Sequence, residues 1–238
     1  MQDGKQLGMG IFSFYEEESP IVTEFRRIYS NLKYYNSGVD IKSILITSSS
    51  LGEGKSTLAS LLATVVSHRH NKKIVLMDCD LRRPNIHRLF GLDQRSGLSE
   101  LLQGKINLSD CLKKSPLENL KIITSGEKVD NSTELLETSY FKEVLTEVRH
   151  CSDLLIADCA PVIPVSDPMI IGPLMDGVIL VIKAGFIQKE IVKRATEILN
   201  NAQVRLLGVI MNNMKEVLPY YYSYKYYGYE YHSSREKR

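Results

Sequence analysis

From residue 43 onward, short apolar runs alternate with stretches whose apolar positions recur at helical spacing. The runs occupy 43–48, 73–79, 120–124, 153–158, 177–183 and 206–212. They are nearly continuous in Ile, Leu and Val, the pattern of strands covered on both faces. Helices are predicted at 55–70, 97–104, 132–150 and 187–202. In the last, Ile187, Ile191, Ala195, Ile198, Leu199 and Ala202 share a face. Strand–helix alternation of this kind implies an α/β fold, a mostly parallel central sheet flanked by helices on both faces. Ahead of it, Ser19-Pro20 reads as an N-cap and first-turn proline opening an amphipathic helix over 19–36. Ile21, Phe25, Ile28, Tyr29 and Leu32 lie on its apolar face. Residues 1–18, with a Glu16-Glu17-Glu18 run and no sustained period, read as a flexible lead-in. No repeat of 20–50 residues is apparent.

The first apolar run passes directly into Ser48-Ser49-Ser50-Leu51-Gly52-Glu53-Gly54-Lys55-Ser56-Thr57. A strand, a glycine-containing loop and a helix start form the setting that a polyphosphate needs. Gly52 and Gly54 let backbone N–H groups turn inward, and the helix opening at Lys55 presents its positive dipole end. Lys55 would reach the β- and γ-phosphates, and the Ser56 hydroxyl would ligate magnesium. With Glu53 and Thr57, these residues form the candidate nucleotide-binding set for ATP and Mg2+. The usual pattern GxxxxGK[ST] has a glycine where this chain has Ser49.

Two later runs end in carboxylates. Asp78 and Asp80, followed by Arg82, close the run at 73–79, and Asp158 closes the run at 153–158. Ligands of open parallel sheets bind beyond those strand ends. One aspartate could orient or deprotonate an incoming hydroxyl while another holds a magnesium ion or its water. A lone aspartate there is otherwise a helix cap. Arg82 would contact phosphate or lie on the surface. Asn212, at the end of the last run, would pair with a purine edge or belong to an Asn-Asn turn.

Composition narrows the class. The 238 residues fit one domain, and net charge +2 with no basic run argues against a nucleic-acid partner. No apolar stretch nears the roughly 20 residues of a membrane span, and no signal-type N-terminus is present. Cys79, Cys111, Cys151 and Cys159 have no metal-ligand spacing, so a reduced, cytoplasmic location is expected. After Pro219, eight of the chain's 13 tyrosines fall within twelve residues. The expected organisation is therefore a lead-in at 1–18, a helix at 19–36, an ATP-binding domain at 37–218 and a flexible tail at 219–238.

The loop at 49–57, Asp78-Cys79-Asp80-Leu81-Arg82, Leu155-Ile156-Ala157-Asp158 and the terminal tyrosines together resemble the bacterial tyrosine kinases. These are the cytoplasmic kinase subunits of capsule and exopolysaccharide systems. Thr124-Ser125-Gly126 and Glu134-Leu135-Leu136 also fit. The resemblance implies a P-loop NTPase fold and a protein-tyrosine kinase that phosphorylates its own tail. Lys55 and Ser56 would bind phosphates and magnesium, Asp78 would be the base, and Asp80 and Asp158 would organise the metal. The phosphoacceptors would be Tyr220, Tyr221, Tyr222, Tyr224, Tyr226, Tyr227, Tyr229 and Tyr231. Implied partners are a transmembrane activator related to polysaccharide chain-length regulators, further copies of the chain, and a protein-tyrosine phosphatase. The activator would recruit the kinase to the inner membrane face.

Where the family's first helix carries Glu and two Arg for ring closure, this chain has Thr23, Arg26 and Tyr29, with Glu24 one place along. Cys159-Ala160-Pro161 replaces a hydroxyl residue and paired prolines. The alternative is an ATPase switch of the MinD or ParA type. Its signature lysine would fall at Ser50, so the cross-dimer device of those proteins is missing. A catalytically silent binding module is the third reading, against which Lys55, Ser56, Asp78, Asp80 and Asp158 are intact.

Overall fold

The computed structural model describes residues 11, 19–34 and 40–213. The tail tyrosines and most of the expected lead-in lie outside these residues. Along the described chain the elements are α1 (Pro20–Tyr34), β1 (Ser43–Ser48), α2 (Lys55–Arg69), β2 (Ile74–Asp78), α3 (Ile86–Phe90), α4 (Leu98–Leu102), α5 (Leu108–Cys111), β3 (Lys113–Lys114) and β4 (Leu120–Ile123). They continue with α6 (Ser132–Glu137), α7 (Ser139–Cys151), β5 (Leu154–Asp158), α8 (Asp167–Ile171), β6 (Gly177–Lys183), α9 (Lys189–Asn201) and β7 (Leu206–Asn212).

The strands form one seven-stranded sheet in the order β3-β4-β2-β5-β1-β6-β7, with every neighbouring pair parallel except β3 and β4. Alternation within each strand divides the core into two layers. Leu45, Val75, Met77, Leu155, Ala157 and Leu180 face the helices α4, α6, α7, α8 and α9. Ile44, Ile46, Ile74, Leu76, Ile156 and Val181 face α1, α2 and α3. Helix α2 is buried over most of its surface, and its hydroxyls are satisfied along the helix: Ser60 donates to Ser56 O and Thr64 to Ser60 O, each at 2.8 Å.

Several expectations change in detail. The helix expected over 132–150 breaks at Thr138, whose backbone is extended (φ −65°, ψ 150°) and whose hydroxyl accepts from Phe141 N at 3.2 Å, capping α7. Ser19 caps α1 as expected, accepting from Val22 N at 3.3 Å, but Val22 and Phe25 are the buried residues and Ile21 faces solvent. Ile11, inside the expected lead-in, is fully buried against the α1–α2 layer. Strand β7 is at the sheet edge, so Val209 and Met211 are exposed where coverage on both faces was expected. Ile187 precedes α9 instead of joining its face, which buries Ala195 and Leu199. The short α3, α5, α8 and β3 had no counterpart in the apolar pattern.

Candidate active site

The loop between β1 and α2 is shaped by a buried carboxylate. Glu53 is 1% exposed, and its Oε1 accepts from Ser49 Oγ at 2.6 Å and Ser50 N at 2.5 Å. Its Oε2 accepts from Lys183 N at 3.0 Å, tying the loop to the end of β6. Ser49 therefore supplies a hydroxyl bond where the usual pattern has glycine. The Glu53 side chain is committed to the fold, so its contribution to a nucleotide is through backbone. Gly54 has φ +92°, and a Cβ there would fall 2.3 Å from Asn212 Nδ2. That amide donates to Glu53 O at 2.9 Å while Asn212 Oδ1 accepts from Asn213 N at 2.8 Å. Asn212, read in the sequence as a purine contact or part of an Asn-Asn turn, clamps the loop to β7 through these bonds. Ser50 also belongs to this scaffold and projects no cation.

Register then gathers the acids. Asp78 and Asp158 are paired across β2 and β5, and Asp158 also faces Ile46 of β1 across the neighbouring strand. Lys55, in the first turn of α2, donates from Nζ to Asp80 Oδ2 at 2.9 Å. Asp80 Oδ1 accepts from Arg83 N at 2.9 Å. Asp78 is fully buried; Oδ1 accepts from Asp80 N at 3.2 Å, and Oδ2 from Asn85 N at 3.2 Å and Ile86 N at 3.0 Å. It thus fixes the turn into α3 as well as standing at the strand end.

The electrostatics of this group are coupled. Burial, then Asp158, raises the Asp78 carboxyl well above the carboxylate range, against the Ile86 N–H. Burial pushes Asp158 up to about 6, with Lys55 and the Ser56 hydroxyl opposing. For Lys55, burial disfavours the ammonium, but Asp158, Asp80 and Asp78 outweigh it and raise its pKa. Both Asp158 oxygens are buried without a hydrogen-bond donor in bonding geometry. An oxygen-rich, unsatisfied position beside the Ser56 hydroxyl fits a hard dication or its water shell. No group of three or more His, Cys, Asp or Glu among the described residues forms a metal cage, so such an ion would also need nucleotide oxygens.

Arg82 is engaged by neighbouring polar side chains. Its Nη2 donates to Thr133 Oγ1 at 2.7 Å and its Nε lies 3.4 Å from Asp167 Oδ2. Thr133 in turn donates to Asp167 Oδ1 at 2.9 Å. Asp167, fully buried at the start of α8, carried no strand-end signal because the apolar stretch before it, 160–165, is broken by Pro161 and Pro164. Thr57 is half-buried in the first turn of α2. Cys79 and Cys159 are buried thiols raised well above their ordinary range by burial.

The family model ParA, described as NUBPL iron-transfer P-loop NTPase, matches residues 40–227. The tyrosine-protein kinase YwqD of Bacillus subtilis (strain 168) is 35% identical over 225 residues, 94% of each chain. The chain belongs to the bacterial tyrosine kinase family, within the P-loop NTPases. Among solved structures, the chimerical protein CapA2B2 superposes with a TM-score of 0.82 at 30% identity, covering 86% of this chain and 89% of that one. The tyrosine-protein kinase wzc of Salmonella typhi is 30% identical over 80% of this chain, which spans only 26% of that longer relative. In this kinase-family chain Lys55, Asp78, Asp80 and Asp158 stand around the loop 48–57. No helix among the described residues is long and apolar enough to cross a membrane.

Proposed function

We propose that the chain is a protein-tyrosine kinase that transfers the γ-phosphoryl group of ATP to tyrosines 220–231 of its own tail, between subunits. The observation that carries this reading is the convergence of Lys55 with Asp78, Asp80 and Asp158 at one end of the sheet. It is supported by β7, which leaves the domain clamped to the loop through Asn212, eight residues before Tyr220.

Lys55 exchanges Asp80 for the β- and γ-phosphates, and backbone N–H groups of residues 52–57 surround them. Ser56, Asp80 and Asp158 would hold magnesium, which would neutralise charge on the phosphate oxygens. Asp78, made more basic by burial and by Asp158, orients the tyrosine hydroxyl and accepts its proton. The phenol oxygen bonds to the γ-phosphorus, the bond to the bridging oxygen breaks, and ADP departs. Arg82, tied to Asp167 and Thr133, assists the spreading charge only after releasing them.

The wider role follows the family. We infer capsular or exopolysaccharide control, with a separate transmembrane activator that brings the kinase to the cytoplasmic membrane face, oligomeric assembly and an opposing tyrosine phosphatase.

Intact mass after phosphatase treatment and incubation with Mg-ATP tests the reading. Several added phosphates are expected in the full chain and none in a variant ending at Pro219. Lys55→Met should abolish transfer while keeping a cooperative melt. A folded Lys55→Met chain that still gains phosphate overturns the site. ATP consumed with no phosphate gained by the wild type would favour the ATPase switch.

A further inference from the structure

A second charged feature lies beside the acidic site and, Arg82 apart, is not used by the transfer chemistry. The segment after Asp80 lines a groove of about 470 Å³ with Arg82, Arg83, His87, Arg88, Gln94 and Lys128, and no Asp or Glu lines it. Arg83, Arg88 and Lys128 are exposed. His87 Nδ1 is buried without a hydrogen-bond partner. Burial, then Arg88, lowers the His87 pKa, with Asp93 opposing. The groove is joined to the site by backbone: Arg83 N donates to Asp80 Oδ1, and Asn85 N and Ile86 N donate to Asp78 Oδ2. The two carboxylates and four of the groove's basic residues, Arg82, Arg83, His87 and Arg88, are therefore presented by one hydrogen-bonded segment, 78–88.

We propose that this groove binds phosphotyrosine already formed on the tail and holds it while a neighbouring tyrosine is phosphorylated. The inference rests on the tail-kinase reading. Each phosphotyrosine brings about −1.5 to −2 charges to a strip that must return to a site containing three buried aspartates. Like charges at that distance repel, so repeated transfer needs a counter-charge next to the aspartates. The groove supplies it in the form that suits phosphate, with arginine forks and a lysine. Spacing also fits: consecutive tail tyrosines are one or two residues apart, roughly 3.5–7 Å in extended chain. A phosphate held in the groove leaves an unmodified tyrosine one or two positions away to reach Asp78.

The test uses the full-length, phosphatase-treated chain with saturating Mg-ADP, so that the phosphate-binding loop is filled. A fluorescent peptide of residues 219–231 is titrated unmodified, or with phosphotyrosine at positions 224 and 227. The phosphorylated peptide should bind at least about tenfold tighter. Arg83→Gln, Arg88→Gln and Lys128→Gln together, all surface changes, should remove that preference. Equal binding of both peptides, or a preference that survives in the triple variant, overturns the proposal. In a time course with Mg-ATP, the wild type should pass quickly from unmodified to multiply phosphorylated forms, and the triple variant should accumulate singly phosphorylated chain. Identical phosphoform distributions also overturn it. The binding arm contains no ATP. If the wild type places no phosphate on its tail, the kinase reading fails and the groove is still decided by the peptides.

Discussion

Asp158 is a buried carboxylate whose oxygens lack donors, and its pKa is pushed up to about 6 by burial. The sign of its effect on stability follows from proton counting. An unfolded aspartate titrates near 3.9, so between about pH 4 and pH 6 the folded chain retains a proton that the unfolded chain has lost. Stability of the nucleotide-free protein from this group therefore falls as pH rises through that window and levels off above it. Melting temperatures of the wild type and Asp158→Asn, compared from about pH 4 to 7, should diverge accordingly, the wild type losing ground. A constant difference between the two would contradict the assignment. An acid held at such a cost is expected where a ligand later satisfies it. This residue was legible from the sequence, because an apolar run ending in aspartate locates a strand end. The bonds that hold Glu53 and Asn212 in the fold were not legible. Glu53 reaches Lys183 N, and Asn212 reaches the Glu53 carbonyl, and contacts across 130 or more residues leave no mark in local spacing.

At the scale of elements, the long parallel strands and α2 were readable because burial on both faces forces continuous apolar runs. What escaped was set by single polar bonds. Thr138 splits the helix at 132–150 with one hydroxyl bond to Phe141 N, and the apolar period runs across the break unchanged. Strand β3 spans only Lys113–Lys114, too short to have a period, and its lysines suit an edge. The α7 face that results can be checked. Phe141 is fully buried in the layer with Leu98, Leu101 and Val144. Phe141→Ala should cost about 3–5 kcal/mol through lost burial and the cavity left behind. For a domain of this size that is a fall of roughly 6–20 °C in melting temperature. A fall below about 2 °C in calorimetry would mean that α7 is not packed on the sheet as described.

For the whole molecule, the open question of mechanism is which copy receives the phosphate. Asn212 is fixed on the nucleotide loop, and Tyr220 follows it by eight residues, a reach of at most about 29 Å. Tyr231 has nineteen residues of chain to the same anchor, so reach alone allows a tail to turn back on its own site. Closing such a loop adds only about 0.6 kcal/mol for each doubling of its length, which does not decide between copies. Transfer between subunits needs an assembly; in α1, Tyr29 stands where the family's ring-closing helix has Arg and packs against His70 of its own chain at 4.6 Å between ring centroids. A mixing experiment separates the routes. Full-length Lys55→Met chain supplies an intact tail without a working site; an active chain ending at Pro219 supplies the site without a tail. Phosphate should appear on the Lys55→Met chain, at a rate that rises with the concentration of the truncated partner. Wild-type transfer should also slow on dilution, since an intermolecular step depends on encounter. If the Lys55→Met tail stays unmodified while dilute wild type phosphorylates itself at an undiminished rate, each chain serves its own tail. The clamp of β7 on the loop would then be the feature that directs the tail inward.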